Sequence, residues 1–207
     1  MIQNIKLVLF DLDGVLLDTK KNMQISWKKV QGDFKIKIPF DKYFKNIGPP
    51  FEKILKKLLI KENFFKIKKT YNQESIRYFN KIKLYPGVNK TLKDLNRRKI
   101  TLGIVTSKDK PRTIKLIKKF KINIKLIVTP SKGLRGKPFP DQLLKAMKIA
   151  KLNPLNTIYV GDLPLDYRSA TNSRIDFVYA KYGYGKNKNY YKYSINKFKD
   201  LLKIIYF

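Results

Sequence analysis

The chain has 207 residues, 43% of them hydrophobic and 13% aromatic: enough for one substantial domain, or a core domain with a smaller insertion, and too much for a disordered chain. It contains neither Cys nor His, which excludes disulfides, thiolate nucleophiles, Cys-based zinc sites and imidazole bases, and leaves carboxylates, hydroxyls and lysines to carry any chemistry. The net charge of +32 is mostly Lys dispersed along the whole length; it reads as a solvating surface that draws phosphorylated small molecules, with nucleic acid not expected as the main partner.

Residues 6–10 form an apolar run that ends in Asp11-Leu-Asp-Gly, the pattern of a buried parallel strand followed by a turn. No run of 18 apolar residues occurs, and the start of the chain leads into this strand instead of a signal peptide, so a soluble, cytoplasmic protein with no membrane partner is expected. Residues 18–84 change character: they are Lys-rich and spaced for helices, as in Phe51, Ile54, Leu55 and Leu58, with no convincing strand. Leu59 is placed on the same helical face, and the stretch reads as a helical insertion. Pro86-Gly87 marks a turn, and residues 88–98 an amphipathic helix with Val88, Leu92 and Leu95 on one face. Strands are then expected at 101–106, 124–128, 157–161 and 176–179, alternating with helices at 111–120, 140–151, 165–173 and 199–205. Such alternation predicts an α/β fold, a doubly wound parallel sheet whose ligands bind at the carboxyl ends of the strands.

The residues with chemical potential sit at those ends. Asp11 and Asp13 are two apart, so extended geometry projects them to one side, roughly 6 to 7 Å apart. One carboxylate of such a pair can attack phosphorus while the other donates a proton to the leaving group and later activates water. Taken alone, Asp-x-Asp-Gly reads more simply as an ordinary turn after a strand. Gly14 permits a tight turn that aims main-chain N–H groups at phosphate oxygens. Thr106 and Ser107 follow the second core strand and place hydroxyls where a phosphate oxygen can be held. Lys137, in Gly136-Lys-Pro-Phe-Pro, lies just before a helix and offers a fixed positive charge to a transferred phosphoryl group. Gly161-Asp-Leu-Pro-Leu-Asp166 closes the fourth strand with two carboxylates, and Asp162 can complete an all-oxygen Mg2+ site with Asp11.

The order of these segments resembles the haloacid dehalogenase superfamily of phosphotransferases. Phe10-Asp-Leu-Asp-Gly-Val-Leu-Leu-Asp-Thr19 is similar to its first motif, Ile104-Val-Thr-Ser107 to its second, Gly136-Lys-Pro-Phe-Pro140 to its third and Val160-Gly-Asp-Leu-Pro-Leu-Asp166 to its fourth. Ile47-Gly-Pro-Pro50 and Leu84-Tyr-Pro-Gly-Val88 resemble the phosphoglycolate phosphatase-like branch. The resemblance implies a Rossmann-like core from residues 1–17 and 85–207, with residues 18–84 as a type 1 helical cap. It implies an Mg2+-dependent phosphatase of a small phosphorylated metabolite working through an aspartyl-phosphate. Asp11 would be the nucleophile, and Asp13 the general acid and base, its main-chain carbonyl also binding the metal. Asp162 would be the remaining metal ligand, Thr106 and Lys137 would bind the phosphoryl group, and Asp166 would support the metal loop. A second Asp at position 13 speaks for phosphate esters over carbon–halogen bonds. Two other readings compete: a phosphosugar mutase of the β-phosphoglucomutase kind, whose cap carries a His that this chain lacks, and a nucleic-acid binder using the Lys, Tyr and Asn of residues 179–199 as a stacking platform.

Overall fold

Leu7, Val8, Leu9 and Phe10 are all buried in the first strand, β1 (Leu7–Phe10). The two-residue period of a strand sends Val8 and Phe10 into one hydrophobic cluster and Leu7 and Leu9 into another, so this strand is covered on both faces. The computed structural model describes residues 2–186 and 191–205. β1 lies inside a parallel six-stranded sheet with β4 (Thr101–Val105), β5 (Leu126–Val128), β6 (Thr157–Gly161), β7 (Asp176–Ala180) and β8 (Tyr193–Ile195), in the order β5-β4-β1-β6-β7-β8.

Helices cover both faces, as the alternation of strands and helices requires. α5 (Val88–Arg97), α6 (Lys110–Lys119) and α9 (Leu201–Ile204) put Leu92, Leu95, Leu116 and Leu201 into the cluster that holds Val8 and Phe10. α7 (Asp141–Ala150) and α8 (Pro164–Asn172) put Leu143, Ala146, Met147 and Ala170 against Leu7 and Leu9. Two helix starts follow from local chemistry. At α6, the Asp109 carboxylate accepts from the Arg112 N–H at 3.0 Å and Pro111 lies in the first turn. At α8, Pro164 occupies the first turn and Asp166 reaches back to the Leu163 N–H at 2.9 Å.

Between β1 and α5 lies a helical layer of α1 (Lys20–Phe34), α2 (Phe40–Phe44), α3 (Phe51–Lys57) and α4 (Phe64–Arg77), with a core of its own. Trp27 stacks on Tyr43 at 4.3 Å, and Tyr71 lies 4.7 Å from Phe51. Asn22 joins α1 to the end of α4 by donating to the carbonyls of Ser75 and Tyr78 at 2.8 and 2.9 Å. A short antiparallel ribbon, β2 (Leu17–Asp18) with β3 (Lys83–Leu84), carries the chain into and out of this layer side by side.

The expected strand at 124–128 is confined to Leu126–Val128. The expected helix at 199–205 divides into a 3-10 turn, Phe198–Asp200, and the short α9. Between the expected strand at 176–179 and that helix lies β8, a sixth strand at the sheet's edge that the sequence reading does not include. Of the residues read as a stacking platform, Tyr179 and Tyr191 are buried, 4.7 Å apart, in the cluster under α7 and α8. Residues 187–190 of that stretch lie outside the described residues. Among the described residues no helix is long and apolar enough to cross a membrane.

Candidate active site at the strand tips

Parallel strands bring their carboxyl ends to one edge, and β4, β1 and β6 are neighbours, so Thr106, Asp11 and Asp162 emerge side by side. Asp11, Asp162 and Asp166 each present a carboxylate oxygen within 4.8 Å of the others. Lys137 enters from the loop before α7; its ammonium lies 3.0 Å from Asp11 Oδ1 and 2.6 Å from Asp166 Oδ1. Asp166 is fully engaged. Its Oδ1 also accepts from the Tyr159 hydroxyl at 3.1 Å, and its Oδ2 accepts the N–H groups of Asp162 and Leu163 at 3.2 and 2.9 Å. That fixes the loop carrying Asp162, whose Oδ2 accepts the Tyr184 N–H at 2.6 Å.

Three carboxyls and one ammonium buried together leave excess negative charge. Burial pushes the Asp11 carboxyl up to about 7, with Lys137 pulling against it and Asp166 and Asp13 adding to it. Burial likewise holds Asp162 well above the ordinary carboxylate range, reinforced by Asp166 and Asp11. Lys137 is held above its usual value because Asp11 and Asp166 outweigh the effect of burial. The buried Oδ1 atoms of Asp13 and Asp162 have no hydrogen-bond partner, and Asp11 Oδ1 has only the Lys137 ammonium beside it. Orphaned acceptors in a negative pocket made only of oxygen donors fit a hard divalent cation, which would answer the unpaired oxygens and the repulsion together.

The other expected residues fall into place differently. Asp13 stands outside the side-chain triad and pairs instead with Lys108, Nζ to Oδ2 at 3.0 Å. Thr106 is buried and its Oγ1 accepts the Lys108 N–H at 3.2 Å, which leaves the hydroxyl proton for an incoming group. Gly14 has φ +88°, as the tight turn requires, and a Cβ there would collide with the Asp162 carboxylate. Its N–H, expected to face phosphate, donates to Leu17 O at 2.8 Å because the turn closes on itself. The Ser107 hydroxyl, also expected to face phosphate, donates at 2.6 Å to Gly48 O in the helical layer.

Three residues escaped the sequence reading. Lys108 and Arg112 line a cavity of about 80 Å³ together with Asp11, Asp13 and Thr106. Tyr184 lines it too, carried on a loop whose flanking Gly183 and Gly185 press so close to Asp162 that a Cβ on either would strike it. The repeated Gly around one Tyr was the available signal. Tyr43 and Tyr71 reach the same cavity from the helical layer.

Comparison with known proteins follows this geometry. A family model described as haloacid dehalogenase-like hydrolase matches residues 8–180. Pyrophosphatase PpaX of Oceanobacillus iheyensis is 28% identical, aligned over 98% of this chain and 97% of its own. Phosphoglycolate phosphatase of Aquifex aeolicus is 26% identical over 97% and 96%. Among solved structures, a putative phosphoglycolate phosphatase from Lactobacillus plantarum superimposes with a TM-score of 0.88 at 22% identity, covering 97% of this chain and 99% of that one.

Proposed function

The chain belongs to the haloacid dehalogenase-like hydrolase family and is a phosphatase, and from that premise we propose that it hydrolyses a small phosphorylated metabolite of the phosphoglycolate or sugar phosphate kind with Mg2+, through a phosphoryl group carried on Asp11. The observation that carries this reading is the meeting of Asp11, Asp162 and Asp166 within 4.8 Å beside the Lys137 ammonium.

In the proposed first step a carboxylate oxygen of Asp11 forms a bond to phosphorus as the bond to the leaving oxygen breaks, and Asp13 gives that oxygen its proton. In the second, Asp13 takes a proton from water, whose oxygen attacks phosphorus and frees Asp11. Lys137 holds one fixed positive charge beside Asp11 throughout, and the Thr106 hydroxyl donates to a phosphoryl oxygen. Asp166 keeps the Asp162 loop in place. Asp11, Asp162 and the main-chain carbonyl of Asp13 would hold the Mg2+, which supplies the charge that keeps Asp11 ionised near an anionic substrate. We read residues 1–17 and 85–207 as the catalytic core and residues 18–84 as a cap, supported by the layer's separate core and the β2–β3 ribbon at its base.

The test is phosphate release by the purified protein from a panel of phosphorylated metabolites, with Mg2+ or with EDTA. Release in Mg2+ that stops in EDTA and in Asp11→Asn is expected. Asp11→Asn protein as active as the wild type would end the assignment.

A further inference from the structure

Of the chain's 47 Lys and Arg, the ones buried among the described residues are Lys108, Arg112 and Lys137, and all three are at this site. A buried cation is costly unless something answers its charge. Lys137 is answered by Asp11 and Asp166. For Lys108 and Arg112 the account is incomplete, because the acid that Lys108 touches is Asp13, the proposed proton carrier. The Arg112 guanidinium is tied through Nε to Asp109 Oδ2 at 2.5 Å, its one side-chain acceptor among the described residues, and its outer nitrogens are left over. Both side chains line the cavity that holds Asp11, and the Tyr71 ring, 5.7 Å from the Arg112 guanidinium carbon, stands beside them.

We propose that Lys108 and Arg112 form a second anion subsite, so that the preferred substrate carries a carboxylate or a second phosphate a few atoms from the phosphorus that Asp11 attacks. This rests on the phosphatase reading above and deepens it by naming the class of leaving group. A cavity of about 80 Å³ suits a compact molecule that touches both ends at once. A neutral leaving group gives nothing to the outer nitrogens of Arg112 and leaves Lys108 with Asp13 alone, and sites built for a polar group reject analogues lacking it far more strongly than an apolar pocket rejects a missing methylene. An anion arriving at Lys108 also competes with Asp13 for the ammonium, which frees the Asp13 carboxyl for proton transfer once the matching substrate is seated.

The experiment compares kcat/KM within two pairs: phosphoglycolate against 2-hydroxyethyl phosphate, and pyrophosphate against methyl phosphate. The wild type is expected to favour the doubly anionic member of at least one pair by on the order of ten- to a hundred-fold, the scale of one or two charge-assisted hydrogen bonds. Whichever pair shows the larger ratio identifies carboxylate or phosphate as the second anion. Lys108→Met and Arg112→Met should each pull that ratio toward one, and Arg112→Lys should retain part of it. Phosphate release with both wild-type ratios near one overturns the subsite and leaves the phosphatase reading standing. So do variants that lower both members of a pair equally, the signature of a purely structural role through Asp13 or the start of α6. No release from any of the four compounds in Mg2+ overturns both.

Discussion

At the carboxyl edge of the sheet, Asp11, Lys137, Asp162 and Asp166 are buried and ionisable, and strand ends and loop hydrogen bonds set their positions. In the helical layer the buried groups are rings, Trp27, Tyr43 and Tyr71, with Phe51 beside them, and side-chain packing sets their positions. The first arrangement tolerates almost no change of residue type, because each group is defined by its charge and by partners about 3 Å away. The second needs volume and shape, which many apolar combinations supply. The contrast puts reactivity on the sheet and leaves the layer to shape the space above it. The two regions meet in one cavity, lined by Asp11 and Asp13 from below and by Tyr43 and Tyr71 from above.

The largest departure between the two regions should come from Asp13→Asn. Loss of proton transfer is expected to slow phosphate release about a hundred- to ten-thousand-fold, and thermal stability should fall as well, because the buried Lys108 ammonium loses the acid it pairs with. Single-turnover measurements that separate phosphoryl transfer from hydrolysis check it. A rate within threefold of wild type would show that Asp13 serves only as the partner of Lys108.

Lys137→Met and Trp27→Ala form a matched pair, each expected to cost about 3 to 5 kcal/mol, the first by stranding two buried carboxylates and the second by opening a cavity. Their response to Mg2+ tells them apart. The divalent cation should recover more stability in Lys137→Met than in wild type, since it neutralises the same carboxylates, and should recover no extra stability in Trp27→Ala. Urea unfolding with and without Mg2+ reads both. Far-UV circular dichroism is the probe, because Trp27 is the chain's single tryptophan. Equal Mg2+ effects in both variants would mean that the tips and the layer unfold as one electrostatic unit and the contrast is misplaced.

The same contrast explains what the sequence made legible. β1 is an apolar run of four, and β4 and β6 are largely apolar behind a leading Thr, each followed at once by Asp11, Thr106 or Asp162, and a strand covered on both faces must be written that way. Asp11, Thr106 and Asp162 were therefore locatable as the first polar residues past each run. Asp166 and Lys137 were placed by the turn and helix starts around them. β8 stayed hidden because three residues, Tyr193, Ser194 and Ile195, are too short to show a period and lie at the edge. Lys108 and Arg112 were hidden because one lysine or arginine in so basic a chain carries no mark of burial. Burial arises only when the layer closes over the tip of β4. Tyr184 depends on its loop folding back onto Asp162, a tertiary contact that spans 22 positions.

Ser107 lies on the seam between the two regions, and Ser107→Ala should have the smallest effect. The sequence alone puts its hydroxyl next to Thr106 as a phosphate ligand, whereas the fold gives that proton to Gly48 O at 2.6 Å. If the hydroxyl is a tie between strand tip and helical layer, its removal loses one partly exposed hydrogen bond, about 0.5 to 1.5 kcal/mol of stability, and kcat on phosphoglycolate stays within about threefold. A phosphate ligand would behave otherwise. Losing a donor to charge that develops in the transition state lowers kcat by about a hundredfold or more and costs little stability. Measuring kcat and the urea midpoint on the same preparation separates the two. A large fall in kcat with an unmoved midpoint would return Ser107 to the reactive edge and shift the boundary between chemistry and shape by one residue.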